Sequence, residues 1–256
     1  MIIRKSNSEI EKMARAGKVV RECLDMLAGE VRPGITTEEL DRLAEKFIRS
    51  KRGVPTFKGY HGFPGSICAS PNAMVVHGIP GPVRLQKGDI IGIDVGVTLE
   101  GYVADAAITV PVGDISAEAQ DLLTVTEESL YKAIDQCKVG NHVGDISHAV
   151  QEHVEAHGYS VVRAMVGHGV GRSMHEDPQV PNFGPAGQGP ELREGVVIAI
   201  EPMVDAGGYE VEEGDDGWAI YTKDRSLSAH FEHTVAITKR GPRILTASEV
   251  APSWAT

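Results

Sequence analysis

Two aspartates, Asp94 and Asp105, lie in one stretch, Asp-Ile-Ile-Gly-Ile-Asp-Val-Gly-Val-Thr-Leu-Glu-Gly-Tyr-Val-Ala-Asp-Ala-Ala, from Asp89 to Ala107. Apolar residues around Ile91, Ile93 and Val95 and around Tyr102, Val103 and Ile108 read as two strands, joined by a tight hairpin turn at Thr98–Gly101. Asp94 and Asp105 stand equally far from the midpoint of that turn, which predicts that they face each other directly across antiparallel strands. Like charges so placed destabilise a half-buried hairpin unless a cation sits between them or one is protonated. The pair is a candidate metal clamp, or else the acidic outer face of a solvated hairpin.

Other chemistry-bearing residues follow. His168 stands between glycines in Val-Gly-His-Gly-Val-Gly-Arg, after an expected strand, where backbone can approach something closely and the imidazole is open to a ligand or metal. A turn histidine is the plainer reading, and a dinucleotide loop is disfavoured by Arg172 where a third glycine belongs. Glu201 ends the apolar run Ile-Ala-Ile-Glu-Pro-Met and Glu232 opens another, and a carboxylate in such a place must be paired or ligated. His77, in Val-Val-His-Gly-Ile-Pro, and His175, in Met-His-Glu-Asp-Pro, are each by themselves as readily polar loop residues. Asp94, Asp105, His168, Glu201 and Glu232 form a set of carboxylates with one nitrogen and no thiolate. That set suits manganese, iron(II) or cobalt better than a single structural zinc. Four carboxylates approximately neutralise two divalent cations, and such a pair acidifies a water and polarises a carbonyl, so metal-assisted hydrolysis is the natural reaction.

The elements that must position these residues are legible by period and cap. Ser6-Asn7-Ser8-Glu9 is a capping box, followed at helical spacing by Ile10, Met13, Val20, Cys23, Leu24 and Leu27. Arg32-Pro33-Gly34 breaks that helix, and Thr36 with Glu39 starts another that carries Leu40, Leu43, Ala44, Phe47 and Ile48 inward and closes near Gly53. After the hairpin the order returns: a helix from Ala117 to Gln136, then a second capped by Asp145 and ending at Gly158. Strands are expected at Ser160–Val166, Gly195–Ile200, Trp218–Thr222 and Glu232–Thr238. This weak internal repeat predicts an α+β fold of two pseudo-symmetric halves, antiparallel sheet on one side and helices on the other, with a site drawing carboxylates from both halves.

At 256 residues with 41% hydrophobic content the chain can bury a large core. A formal charge of -11 with no basic block argues against a nucleic-acid or anionic-membrane surface. No apolar run approaches a membrane span and no signal-peptide core follows Met1, so a cytoplasmic location is expected. Cys23, Cys68 and Cys137 lack metal-type spacing and are expected as reduced thiols.

In combination, Tyr-His-Gly-Phe-Pro-Gly-Ser-Ile-Cys from Tyr60, His-Gly-Ile-Pro from His77, the Asp94–Asp105 hairpin, Gly-His-Gly-Val-Gly from Gly167, Glu-Pro-Met from Glu201 and Thr-Lys-Asp-Arg-Ser-Leu-Ser-Ala before Glu232 resemble the type I methionine aminopeptidases of the bacterial kind. The resemblance runs from the first helix to about Thr246 and implies the two-half pita-bread fold and a single catalytic metallopeptidase domain over residues 1–256. It implies removal of the initiator methionine from nascent polypeptides with a small uncharged second residue, by an enzyme holding two divalent ions drawn from cobalt, manganese, iron and zinc. Asp94 would hold one ion, Asp105 and Glu232 would bridge both, and His168 and Glu201 would complete the other. Glu201 would also shuttle a proton, His175 would steady the carbonyl oxygen and His77 would hold the scissile nitrogen. The methionine pocket would be Tyr60, His61, Phe63, Cys68 and Trp218, and Asn72 and Ser228 match positions near a monovalent-cation site. A monomer with transient ribosome association is expected.

Three residues depart from the pattern: Met174 where phenylalanine is frequent, Phe57 where cysteine is common, and His230 in place of glutamine. On a strand, His230 shares a face with Glu232, as a partner to that ligand or a tolerated swap. Rival readings are a non-catalytic binding module of the same fold, which would be expected to lose ligands, and the proline-directed aminopeptidases, which carry an added N-terminal domain. A type II enzyme would carry a sizeable insertion between the last two glutamates, where this chain has a short connection.

Overall fold

A computed structural model describes residues 1–247. The chain opens with α1 (Asn7–Glu30) and α2 (Thr37–Ser50), each started by the capping box its sequence announces. Glu9 N–H donates to Ser6 Oγ while Ser6 N–H donates to the Glu9 carboxylate at 2.8 Å, and Thr36 and Glu39 repeat the exchange. Such caps are worth about 1 kcal/mol each. Then follow β1 (Val54–Pro55), β2 (Ile67–Pro71), β3 (Met74–Val76), β4 (Ile90–Leu99) and β5 (Tyr102–Pro111). The second half starts with α3 (Ala117–Ile134) and α4 (Val143–Ala156) and continues through β6 (Ser160–Val161), β7 (Gly167–Gly169), β8 (Glu176–Val180), β9 (Val197–Ile200) and β10 (Met203–Asp205). It ends with β11 (Val211–Glu213), β12 (Ile220–Thr222), β13 (Ser228–His230), β14 (His233–Thr238) and β15 (Gly241–Ile244).

Two points differ from the sequence expectation here. The N-cap of α4 is His142 rather than Asp145. The helix begins earlier, at Val143, where the Pro190 and Gln188 carbonyls accept the Val143 and Gly144 N–H groups, and Asp145 serves the cap from the first turn by accepting the His142 N–H, with the Gly187 N–H on its other oxygen. The strand expected over residues 160–166 is only Ser160–Val161, pairing with Asp205 and Val204.

Every strand pairing is antiparallel. In the first half β4 is central, with β5 along one edge and β2 and β1 end to end along the other. Ile91, Ile93, Val95 and Val97 of β4 with Ala104 and Ala106 of β5 bury against Val20, Cys23, Leu24 and Leu27 of α1 and Leu40, Ala44 and Ile48 of α2. By the two-residue period of a strand, Asp94 and Asp105 belong to the opposite face. The second half repeats the plan in the order β15-β14-β9-β7-β8: Ile198, Ile200, Val235 and Ile237 bury against Leu122 and Leu130 of α3 and Ile146 and Val150 of α4, leaving Glu201 and Glu232 to the other side. Leu43 and Phe47, read as inward, only flank the core.

The two sheets meet along β5. Glu232 N–H donates to Ala107 O at 2.9 Å, Asp105 N–H to Thr234 Oγ1 at 3.1 Å, and His230 N–H to Thr109 Oγ1 at 2.9 Å. Both helix-free faces therefore open on one shared seam. Cys23, Cys68 and Cys137 are buried free thiols, and no helix among the described residues is long and apolar enough to cross a membrane.

Candidate active site

The hairpin is present, but its register corrects the expected one. Its turn is Glu100–Gly101, both at positive φ (52° and 77°), so Leu99 pairs with Tyr102, Asp94 with Ala107 and Asp105 with Gly96. A two-residue hairpin loop of this hand needs positive φ at both central residues, and glycine at the second removes half the steric cost. Asp94 and Asp105 are consequently diagonal neighbours on one face, typically roughly 7 Å apart, rather than directly opposed at about 5 Å. In the second half the last β9–β14 pair is Ile200 with His233. One step further stand Glu201 and Glu232, and Pro202, which has no N–H, follows where the ladder stops.

His168 reaches the seam from β7. Its flanking glycines serve the neighbouring strands: a Cβ on Gly167 would lie 2.4 Å from Ala199 O, and one on Gly169 would lie 2.1 Å from Asp177 O. The imidazole is buried rather than open, yet it lines the cavity. Its Nδ1 bonds Gly169 O at 2.9 Å, which makes Nδ1 the donor and turns Nε2 inward, 3.4 Å from Asp105 Oδ2 and 3.6 Å from Glu201 Oε1. Among the described residues, Asp105, His168 and Glu232 each bring a donor atom within 4.8 Å of the other two.

The electrostatics are those of a crowded anionic site. Burial, then the Asp105 and Glu201 charges, push Asp94 well above the usual carboxylate range, and burial with Asp105 and Asp94 does the same to Glu232. Burial raises Glu201 to about 8 against the opposing pull of His168. Burial would raise Asp105 too, but the His168 imidazole and the Thr234 hydroxyl, 2.8 Å away, hold it below its ordinary value. His168 itself, which burial would lower, is raised to about 9 by Asp105 and Glu201. Asp94 Oδ1 and Asp105 Oδ2 are buried without a hydrogen-bond partner. Oxygens in that state take either protons or a cation, and a carboxylate-rich set with one imidazole suits a hard to borderline divalent ion. The residues fit a divalent metal.

A cavity of about 210 Å³ opens on these five side chains. Its remaining walls are Phe57, Tyr60, His61, Phe63, Cys68, His77, Met174, His175 and Trp218, so the expected pocket and two of the departing residues lie together. Phe63 and Trp218 meet edge to face at 5.1 Å. Tyr60 OH is 2.7 Å from His175 Nδ1, and the His175 ring stands edge-on to His168 at 4.4 Å. Burial and the neighbouring His168 charge lower His175 to about 4, and burial lowers His77. His61 and His77 sit at positive φ (47° and 60°), a conformation side chains rarely adopt and one that clusters at functional sites. His230 is buried on the seam, its Nε2 unpartnered and 3.9 Å from Glu201 Oε2.

Asn72 and Ser228 lie outside this cavity. Ser228 N–H donates to Asn72 O at 2.9 Å, and Asn72 Nδ2 to Asp89 Oδ1 at 3.0 Å. Sequence reasoning missed their neighbour Asp205, the strand partner of Ser228, which is fully buried with both carboxylate oxygens unpartnered. Burial pushes it to about 7. The signal available was an aspartate closing the apolar run Pro-Met-Val before Ala206.

The chain belongs to metallopeptidase family M24, whose model matches residues 11–239, a span that contains every site residue named above. Within that family it is 55% identical over 246 residues to a methionine aminopeptidase of Clostridium perfringens (strain 13 / Type A), covering 96% of this chain and 99% of that one. The crystal structure of methionine aminopeptidase from Rickettsia prowazekii matches with a TM-score of 0.95 at 42% identity, covering 96% of this chain and 100% of that one. A prolidase from Pyrococcus furiosus shares the pita-bread fold alone, with a TM-score of 0.76 at 23% identity over 97% of this chain and 66% of its own.

Proposed function

We propose that this chain removes the N-terminal methionine from nascent proteins and peptides, preferring a small uncharged second residue. The observation that carries the reading is the convergence of Asp94, Asp105, His168, Glu201 and Glu232, from both halves, on one cavity whose other walls are aromatic and soft around a thioether. Asp94 would hold one divalent ion, Asp105 and Glu232 both, and His168 and Glu201 the other. When bound, two such ions supply an acidified water and a polarised carbonyl.

The side chains do the rest. The Glu201 carboxylate accepts a proton from the attacking water and passes it to the leaving amine. His175 Nδ1 shares a hydrogen bond with Tyr60 OH at 2.7 Å; with Tyr60 as its donor, Nε2 carries the proton that steadies the carbonyl oxygen as it gains charge. His77, kept neutral by burial, holds the scissile nitrogen. Tyr60, His61, Phe63, Cys68 and Trp218, with Phe57 and Met174, enclose the methionine side chain. The short Glu201–Glu232 connection supports the type I form.

The physiological ion comes from cobalt, manganese, iron and zinc. A monovalent cation beside Asn72 and Ser228 would also answer the unpartnered Asp205 carboxylate. We read residues 1–256 as one catalytic domain acting as a cytoplasmic monomer that meets its substrates at the ribosome. The test is release of methionine from a Met-Ala-Ser peptide after loading with each metal, combined with anomalous scattering at the site. Release with ions at the five ligands is expected. Bound ions without release under any metal would overturn the reading in favour of a binding module.

A further inference from the structure

We propose that the chain's own N-terminal segment, through a buried Lys5–Glu176 ion pair, positions His175 in the cavity; this rests on the role given to His175 above. Lys5 Nζ lies 2.7 Å from Glu176 Oε2, with 3% and 9% of the two side chains exposed. The other carboxylate oxygen, Oε1, accepts the backbone N–H groups of Arg172 at 3.0 Å and Ser173 at 3.3 Å. That carboxylate thus ties together the turn that presents Met174 and His175, while Lys5 neutralises it. The fit is close: a Cβ on Gly171 would stand 2.6 Å from both Glu176 Oε1 and Lys5 Cε.

Lys5 is itself fixed. Its N–H donates to Gly195 O at 2.6 Å, and Arg4 Nε donates to Glu194 O at 2.7 Å. The turn's far side hangs on the metal-clamp hairpin, since Val103 N–H donates to Gly171 O at 2.7 Å, two residues before Asp105. The ion pair therefore sets the His175 imidazole relative to the carboxylates from outside the cavity, which neither Lys5 nor Glu176 lines. Lys5 and Glu176 are positioning residues.

A misplacement of about 1 Å can cost roughly 10²-fold in rate. Lys5→Met is therefore expected to lower kcat on Met-Ala-Ser about 10- to 100-fold while KM and bound metal stay at parent values. Lys5→Arg restores kcat. In a His175→Ala background, Lys5→Met causes no further loss, because the group it positions is gone. Should Lys5→Met not fold, the double variant Lys5→Met/Glu176→Gln, which removes both charges and keeps an acceptor at Oε1, carries the same cycle. Parent kcat in the folded variant, or equal losses in both backgrounds, overturns the proposal. Parent kcat in His175→Ala overturns the reading of His175 itself, and this proposal with it.

Discussion

The first half offers its two acids from a single hairpin, whereas the second brings Glu201 and Glu232 to the same seam from separate strands, with β10 to β13 between them. In the hairpin the ladder is continuous past both aspartates, so backbone pairing fixes their spacing. Glu201 and Glu232 stand one step beyond their last pair, at Pro202, and hang on other contacts: Asn182 Nδ2 donates to Glu201 O at 2.9 Å, and Glu232 N–H to Ala107 O. The excursion between them also supplies Trp218 to the cavity wall. A half whose acids are fixed by a continuous ladder thus faces a half whose carboxylates stand beyond their last strand pair.

The sharpest break between the halves is Glu201→Gln against Asp94→Asn. With saturating metal, Glu201→Gln should lose at least ~100-fold in turnover while circular dichroism stays native, as removal of an acid–base group does. Asp94→Asn should recover more of the parent rate, since it lacks a ligand charge only. Glu201→Gln retaining more than about a tenth of parent turnover would remove the shuttle role.

A second prediction concerns the metal-free protein. Glu201, raised from 4.5 to about 8, and His168, raised from 6.5 to about 9, both hold more protons folded than unfolded as pH rises above 6.5. Stability then falls with pH, because it rises only where the unfolded state binds more protons. His175, lowered to about 4, acts in the opposite sense, but only below 6.5. The midpoint of thermal unfolding should therefore drop between pH 6.5 and 9, by roughly 5 °C for a chain of this size. Divalent metal should abolish the slope, and Glu201→Gln should flatten its part below about 8. A flat profile without metal would mean that the acids are not crowded as described.

The His230 imidazole lies 3.9 Å from Glu201 Oε2, and His230→Gln is expected to shift metal affinity about 10-fold, as changes to a ligand's outer partners do. Isothermal titration showing unchanged affinity would leave it a tolerated swap. The smallest effect lies outside both halves' acids. Ile2 is β-branched and stiff at χ1, so the proposed preference for a small second residue makes this chain a poor substrate for itself, and the Met1 ammonium is held by the Asp177 carboxylate. Intact mass of untagged protein should include Met1, and Ile2→Ala should lose it. A parent species short of one methionine would refute the size argument.

The starts of α1 and α2 were legible, because a capping box is settled within four residues: Ser6 with Glu9 and Thr36 with Glu39 behave as read. The membership of the site was legible too, since Asp94, Asp105, Glu201 and Glu232 interrupt apolar strand patterns that require a partner for each charge. What sequence could not settle were the choices between nearly equal local options. Both Thr98–Gly101 and Glu100–Gly101 can carry a turn, and the longer ladder of β4 with β5 selects the latter, sliding Asp105 along the strand. Asp145 moves from the N-cap to the third helical position because carbonyls some 45 residues away satisfy the Val143 and Gly144 N–H groups first. The glycines around His168 looked like room for a ligand and are room for β8 and β9. The Lys5–Glu176 pair is invisible in the chain for the same reason. Local pattern specifies which face a residue shows, but a charge's partner, when distant in sequence, is chosen only once the two sheets close on each other.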